Sequence, residues 1–186
     1  MISSLQINGY RGFERFEMTD LKRVNLLVGS NNSGKTSVLE AISLLMSHGD
    51  PASLWQLLWR RGERMSRVER PPDRPMELDV SHLFHGHDLQ IGSKFILTAE
   101  NQTPERKIAF SIGEIKQERD SPSAREQLSV PSRLGLHITG HPPPSSAVIP
   151  LTRSGGMLSD AFESPRRIRR RLASDDDSAT PVQLIA

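Results

Sequence analysis

The 186-residue chain contains no cysteine. Disulfide frameworks, thiol nucleophiles and thiolate metal sites are therefore excluded. Aromatic residues make up only 5% of the chain. A membrane-spanning helix would need about 18 consecutive apolar residues, and the sequence contains no such window. The residues before Tyr10 include neither a basic leader nor an apolar stretch of signal-peptide length. We therefore expect a soluble, cytoplasmic protein with no membrane partner.

The net charge is also small, because 24 Lys and Arg residues and 22 Asp and Glu residues give a formal charge of +2. Overall charge therefore predicts no class of partner. The length allows one domain of common size or a piece of a larger one. Hydrophobic residues make up 35% of the chain and 13 of its 186 residues are glycine. The sum is slightly below the roughly 45–50% that is usual for a soluble globular domain. We therefore expect a core that leaves part of the chain unpacked.

The first 62 residues carry strand and helix patterns in turn. Apolar residues on both sides of the turn signal 9–12 predict a hairpin of strands over 2–7 and 13–18. Residues 24–28 are mostly apolar and end at a glycine, which predicts a strand buried on both faces in the centre of a mainly parallel sheet. Helical spacing of apolar residues predicts one helix over 35–47 and a second between Asp50 and Gly62.

The segment between the predicted core strand and the first helix carries the chemistry. Its sequence, Gly29-Ser30-Asn31-Asn32-Ser33-Gly34-Lys35-Thr36, matches G-x-x-x-x-G-K-[ST], the Walker A motif or P-loop. Backbone N–H groups from about Asn32 to Thr36 and the positive end of the helix would face the α- and β-phosphates. The Lys35 ammonium would reach the β- and γ-phosphates, and the Thr36 hydroxyl would bind Mg²⁺. An ordinary glycine-rich turn is the plain structural alternative.

The rest of the sequence limits which nucleotide the loop could bind and which class of enzyme it could belong to. A GTPase should carry an N-K-x-D motif and a D-x-x-G motif, and neither occurs in the sequence. A small-molecule P-loop kinase would need a substrate-binding lid and a second acidic motif, and we find neither pattern. The predicted cofactors are therefore ATP and Mg²⁺.

Four stretches within about the first 47 residues resemble a known family. They are residues 9–13 (GYRGF), 25–29 (NLLVG), 31–37 (NNSGKTS) and 39–42 (LEAI). Together they resemble the opening of the ABC-type ATPase heads of the RecF, SMC and OLD (overcoming lysogenization defect) group, often described as AAA-type ATPases. The Asn31-Asn32 form of the loop and residues 79–85 favour the OLD-like branch.

The resemblance implies a fold and a set of site residues. The fold would be α/β, the N-terminal lobe of a P-loop NTPase of the ABC-ATPase type, incomplete and with a flanking antiparallel sheet. The first hairpin would belong to that flanking sheet, and Arg11 would lie near the nucleotide, although a surface arginine in a turn is an equal alternative. Thr36 would be the metal ligand, and the residues around the nucleotide would be Gly29, Asn31, Asn32, Ser33, Gly34, Lys35, Thr36, Ser37 and Arg11.

Parts of the complete site that such families use are missing. We find no Walker B strand, which would be four apolar residues followed by Asp-Glu, and we identify no catalytic residue. Residues 154–156 (Ser-Gly-Gly) are similar to the centre of an ABC signature but lack its helix, and we interpret them as a loop. We divide the chain into a P-loop lobe over 1–115, a flexible Ser- and Pro-rich excursion over 116–147, and a remainder over 148–186 that stops before Walker B.

The resulting hypothesis is the ATP·Mg-binding lobe of a RecF- or OLD-like ATPase in DNA maintenance or phage defence. Hydrolysis would be incomplete in this chain, DNA would be contacted through the complete protein, and intact relatives would pair their heads as homodimers. The alternative is a non-hydrolysing interaction or nucleic-acid-binding fragment with a vestigial P-loop. Two other features are more typical of solvated or packed side chains than of sites, the histidines at 82, 85 and 87 and the arginine-rich run 166–171.

Overall fold

The computed structural model describes residues 2–65, 76–101, 105–115, 133–141 and 145–158. Within these residues the chain forms two α-helices, eight β-strands and two 3-10 turns. Their bounds, in chain order, are β1 Ile2–Tyr10, β2 Phe13–Met18, α1 Lys35–Met46, α2 Pro51–Arg61, β3 Glu77–Asp79, the 3-10 turns Ser81–Leu83 and His85–His87, β4 Lys94–Asn101, β5 Arg106–Ile115, β6 Arg133–His141, β7 Ser145–Pro150 and β8 Gly156–Leu158.

Six strands form one antiparallel sheet in the order β2-β1-β4-β5-β6-β7. The strand β1 lies between β2 and β4, so that Ile7 is opposite Phe16 on one side and Leu97 on the other. Strands β4 to β7 form a meander, because each pairs with the next strand along the chain. The short strands β3 and β8 pair separately. The predicted hairpin over the first 18 residues is confirmed, and β4 and β5 form a second hairpin.

The core lies between one face of the large sheet and the two helices. Side chains along the strands alternate between this face and the opposite one, as the period of a strand requires. Phe95 of β4 is fully buried there and stacks on Phe110 of β5, with ring centroids 4.4 Å apart and ring planes 14° apart. The rings of Tyr10 and Phe84 lie 5.0 and 5.3 Å from the same phenylalanine. The aromatic cluster therefore joins β1, β4, β5 and the 3-10 segment.

Both helices form where the apolar spacing predicts them. α1 buries one side against the sheet, and α2 begins at Pro51 after Asp50, whose carboxylate accepts a hydrogen bond from the Ser53 N–H at 3.0 Å. Gly62, with a φ of 68°, ends α2 in the left-handed conformation that glycine tolerates best. Neither helix of the described residues is long and apolar enough to cross a bilayer.

The turn between the helices lies directly on the sheet. Gly49 has a φ of 71°, and a Cβ atom there would come within 2.7 Å of the Cγ2 atom of Ile138 on β6. The close approach therefore requires glycine for its space as well as for its backbone conformation. It fixes the end of α1 against the centre of the sheet.

The predicted buried strand over residues 24–28 is wrong. These residues form no strand, and the side chains of Val24, Leu26 and Val28 are 85%, 85% and 80% exposed. A strand can be buried on both faces only if neighbouring strands pair with it and other elements cover it. The described residues offer it no pairing strand, because every strand pair among them is antiparallel and lies elsewhere. The α/β class remains, but the expected mainly parallel sheet is not present in these residues.

The second half of the chain contradicts the predicted flexible excursion 116–147 in two places. Residues 133–141 form β6 and pair with β5 along their whole length, and residues 145–147 begin β7, which pairs with β6. The apolar residues at every second position, Leu134, Leu136 and Ile138, suit a strand with one buried face. The arginine-rich run 166–171 lies outside the described residues.

Replacing Phe95 by alanine should lower the free energy of unfolding by about 3 to 5 kcal/mol, because the cavity would remove the centre of the aromatic cluster. Urea unfolding followed by circular dichroism measures this loss. The matched control is Val148→Ala on the exposed face of β7, where we expect a change within about 0.5 kcal/mol. Equal losses from the two variants would contradict the assigned core.

Candidate nucleotide-binding site

The predicted phosphate loop forms the N-terminal approach to α1. The backbone is left-handed at Asn32, with a φ of 63°, and again at Gly34, with a φ of 87°. Gly34 caps α1, and its carbonyl accepts the first hydrogen bond of the helix from the Val38 N–H at 3.0 Å. The N–H groups of residues 35–37 therefore open the helix without carbonyl partners inside it. Such N–H groups and the positive helix end form a general anion-binding geometry.

The first hairpin packs directly against this loop. A Cβ atom on Gly34 would come within 2.5 Å of the Cζ atom of Phe13, the first residue of β2. The ring of Phe13 in turn pairs with that of Phe16, with centroids 4.6 Å apart. Glycine is therefore required at position 34 both for its backbone conformation and for its contact with the hairpin.

The Lys35 side chain folds back across the loop. Its ammonium donates hydrogen bonds to the carbonyl oxygens of Gly29 at 2.8 Å and Ser30 at 2.6 Å, and it lies 3.3 Å from the Ser33 hydroxyl. These three acceptors match the three donors of an ammonium group. A phosphate oxygen would be a stronger acceptor than a neutral carbonyl, because the hydrogen bond is then charge-assisted at both ends. The lysine is thus held in the loop by contacts that an anion can replace.

The remaining predicted site residues differ in exposure. The side chains of Asn31, Asn32, Ser33 and Thr36 are exposed around the loop, whereas Ser37 is buried in the first turn of α1. The described residues contain no cluster of three histidine or acidic side chains that could hold a metal ion by themselves. Mg²⁺ usually keeps several waters and binds nucleotide phosphates with few protein ligands. The Thr36 hydroxyl fits such a role.

Arg11 occupies a buried position in the turn between β1 and β2. It has a φ of 52°, and its side chain is only 8% exposed. Its Nε lies 2.8 Å from a carboxylate oxygen of Glu40 on α1, and its Nη1 lies 2.6 Å from a carboxylate oxygen of Glu63. The guanidinium therefore joins the hairpin to the helix that opens at the phosphate loop. Its predicted place near the nucleotide stays a prediction.

The two carboxylates and the turn are fixed by further contacts. Glu40 also pairs with Arg61 at the end of α2, at 2.7 Å. Leu83 and His85 hold the turn, because the Arg11 N–H donates to the Leu83 carbonyl at 2.9 Å and His85 Nδ1 lies 3.0 Å from the Arg11 carbonyl oxygen.

Burial alone would lower the pKa of Arg11, but the Glu63 hydrogen bonds and the neighbouring charges raise it. The arginine therefore stays charged.

Burial also raises the pKa of the adjacent Tyr10 well above its usual value, so its hydroxyl remains protonated. That hydroxyl accepts a hydrogen bond from Arg11 Nε at 3.1 Å and lies 3.4 Å from Glu40. Sequence reasoning missed this network, because Glu40 and Glu63 are far from Arg11 along the chain and follow no motif. The only available signal was the arginine in a tight turn.

Two sequence features outside the loop are accounted for by local contacts. The rings of His82 and His87 meet edge to face at 4.6 Å, and His85 holds the Arg11 carbonyl, so the three histidines do not converge on one point. Residues 154 and 155 lie in a turn, where the Ser154 hydroxyl donates to the buried Glu77 carboxylate at 2.8 Å, and Gly156 is the first residue of β8. The interpretation of 154–156 as a loop is therefore confirmed for its first two residues and wrong for Gly156.

Replacing Arg11 by alanine should lower the free energy of unfolding by about 3 to 5 kcal/mol, because Glu63 and Glu40 would lose their buried partner. Chemical unfolding at neutral pH measures the effect. Arg61→Ala removes a more exposed arginine from the same cluster, with 35% of its side chain accessible, and should cost clearly less. The network would be dispensable if both variants unfolded at the same denaturant concentration as the unmodified chain.

Sequence comparisons place the chain among known proteins. A model described as AAA ATPase domain matches residues 1–130. The "Uncharacterized protein MJECL10" of Methanocaldococcus jannaschii is 31% identical over 134 residues, which cover 67% of this chain and 58% of that protein. The DNA replication and repair protein RecF of Bacillus cereus (strain G9842) is 41% identical over 118 residues, which cover 60% of this chain and 28% of RecF.

The RecF of Bacillus velezensis is 35% identical over 86 residues, or 43% of this chain and 23% of that protein. The chain thus spans little more than half of the first relative and less than a third of these RecF proteins. No solved structure matches it. The resemblance to a RecF/SMC-like ATPase head is confirmed, and the OLD-like branch stays a prediction. Because the matching region covers more than half of the chain and includes the whole phosphate loop, the chain belongs to the AAA ATPase domain family.

Proposed function

We propose that this chain is the ATP·Mg-binding lobe of a RecF-like ATPase. The observation that carries the proposal is the loop at the start of α1, where Lys35 is held over a left-handed turn whose N–H groups open the helix. This combination of an ammonium, free N–H groups and a helix end suits a polyphosphate. The residues we assign to the nucleotide are those predicted from the motif, with Thr36 as the Mg²⁺ ligand.

Mg²⁺ would supply charge neutralisation between the β- and γ-phosphates when it is bound. The contributions of the chain itself are different. Lys35 would bind and orient the terminal phosphates, the N–H groups of the loop would hold the chain of phosphates, and Phe13 would keep Gly34 in its position. Hydrolysis would further need a carboxylate for the metal and a residue that orients the attacking water. We identify neither in this sequence, and we therefore propose binding with little turnover.

The wider role rests on the relatives. Several of them are named DNA replication and repair protein, so we propose DNA maintenance as the process and DNA as a partner of the complete protein. A homodimer of heads, membership of the OLD-like branch and a part in phage defence extend the same proposal. So do a cytoplasmic location and a place for Arg11 near the nucleotide. The homodimer and the place of Arg11 follow from the resemblance of the first 47 residues. The branch and the part in phage defence rest also on residues 79–85, and the location rests on the RecF relatives.

A second candidate function is favoured by one observation. Apolar side chains just before the loop are exposed over residues 24–28, as is typical of a surface that contacts another polypeptide. The alternative is therefore an interaction fragment whose P-loop is vestigial. Nucleotide titration separates the two candidates, because only the first requires binding at the loop.

Mg-ATP binding should weaken by about 10- to 100-fold in Lys35→Ala, because the charge-assisted hydrogen bonds of the ammonium contribute about 1.5 to 3 kcal/mol. Isothermal titration calorimetry on the folded variants gives the dissociation constants. Lys22→Ala is the matched control, since it removes an exposed lysine seven residues before the loop begins. Equal affinity in all three proteins would mean that the loop is not the site.

The purified chain should hydrolyse ATP far more slowly than a typical enzyme, that is, well below about 1 s⁻¹. Phosphate release at saturating Mg-ATP is the measurement. Lys35→Ala serves as the control for contaminating ATPases, which it would leave unchanged. Turnover at about 1 s⁻¹ or faster that disappears in this variant would reveal a catalytic acid within the chain and refute the proposal of an incomplete site.

A further inference from the structure

Glu40 lies at the centre of the contacts that surround α1. One of its carboxylate oxygens lies 2.8 Å from Arg11 Nε of the hairpin turn, and the other accepts a hydrogen bond from Arg61 Nε of α2 at 2.7 Å. The Tyr10 hydroxyl lies 3.4 Å from the same carboxylate. The Glu40 side chain is only 15% exposed. A single carboxylate therefore joins the first hairpin, α1 and α2.

The start of α1 has little local support of its own. Its N-cap, Gly34, has no side chain that could accept a hydrogen bond from the first turn, and the first turn contains no acidic residue. The helix has 12 residues, and an isolated helix of this length is only marginally stable in water. The orientation of this helix end therefore depends on contacts with other elements.

Two contacts from the hairpin supply that support. Phe13 packs on Gly34 at the loop, and Arg11 pairs with Glu40 farther along the helix. From Lys35 to Glu40 the axis of an α-helix advances by about 7.5 Å, or roughly one and a half turns. The hairpin thus holds the helix at its cap and again in its second turn. The N–H groups that open the helix lie between these two points.

We propose that Glu40 is a positioning residue for the phosphate loop. It touches no phosphate itself, but it fixes the direction of the helix end whose N–H groups, together with Lys35, would receive the nucleotide. The inference rests on the proposed function, because it concerns the affinity of that loop for Mg-ATP. A binding group that is already held in place loses less entropy when the ligand arrives. Glu40 therefore tightens binding through preorganisation rather than through contact.

Charge distinguishes this role from a purely electrostatic one. Arg11 and Arg61 carry two positive charges, and Glu40 and Glu63 carry two negative charges, so the four charges of the cluster cancel. Removing the charge of Glu40 leaves one excess positive charge near the phosphate loop. Coulombic attraction alone would then strengthen the binding of a polyanion. Positioning predicts the opposite sign, because the ligand must order a loosened helix end.

Glu40→Gln keeps the size of the side chain and removes its charge, and it should weaken Mg-ATP binding by about 3- to 10-fold. Glu40→Asp keeps the charge but shortens the side chain by one methylene, so that the carboxylate no longer reaches both arginines. It should weaken binding as well. Isothermal titration calorimetry, on variants whose circular dichroism shows them to be folded, gives the dissociation constants.

Ile149→Val is the matched control. It removes a methyl group from a buried side chain of β7, at the opposite end of the large sheet from the hairpin. The change lowers stability without touching the Glu40 contacts. The affinity for Mg-ATP should therefore equal that of the unmodified chain.

A second measurement needs no nucleotide. The Val38 N–H donates the first hydrogen bond of α1 to the Gly34 carbonyl at 3.0 Å, so its hydrogen exchange reports the opening of the helix end. This exchange should be at least about threefold faster in both Glu40 variants, because the loosening that weakens binding also raises the population of the open helix end. It should be unchanged in Ile149→Val.

The expected result is weaker binding and faster Val38 exchange in both Glu40 variants. Equal or tighter binding in these variants, with binding weakened in Lys35→Ala, would overturn the positioning role and keep the loop as the site. If the unmodified chain binds no Mg-ATP, the proposed function fails and Val38 exchange alone decides whether Glu40 positions the helix end. Faster exchange would then support that role, and unchanged exchange would overturn it.

Discussion

The buried ion pairs of Arg11 constrain the rest of the structure. This one guanidinium contacts Glu40 on α1 and Glu63 beyond α2, while its backbone is bonded to the segment between β3 and β4. A buried arginine that lost its carboxylates would cost several kcal/mol, so these elements must be assembled together. Because α1 opens at the phosphate loop, the network also fixes the helix on which the candidate site depends.

Among the described residues, the first hairpin and α1 hold the phosphate loop from one side. Phe13 packs on Gly34, and α1 is anchored through Glu40 to the first hairpin. On its other side the loop continues into residues 24–28, whose apolar side chains are exposed.

Local sequence signals predicted much of the fold. The turn over residues 9–12 and the helix start at Asp50 and Pro51 each follow from short-range chemistry, and the structure has both. The prediction of a buried strand over residues 24–28 failed, because burial of a strand depends on neighbouring elements that its own sequence does not specify. The motif is a local pattern, and it therefore predicted the loop and the position of Lys35. The partners of Arg11 could not be predicted, because these contacts join residues that are distant in sequence.

The proposed function requires that the loop at the start of α1 bind the phosphates of Mg-ATP. The most direct measurement is a titration of ¹⁵N-labelled chain with Mg-ATP, followed through the backbone amides. We expect saturable shifts concentrated at Gly34, Lys35 and Thr36, whose N–H groups would donate to phosphate oxygens. Shifts confined to other residues, or no saturable change in these three amides, would contradict it.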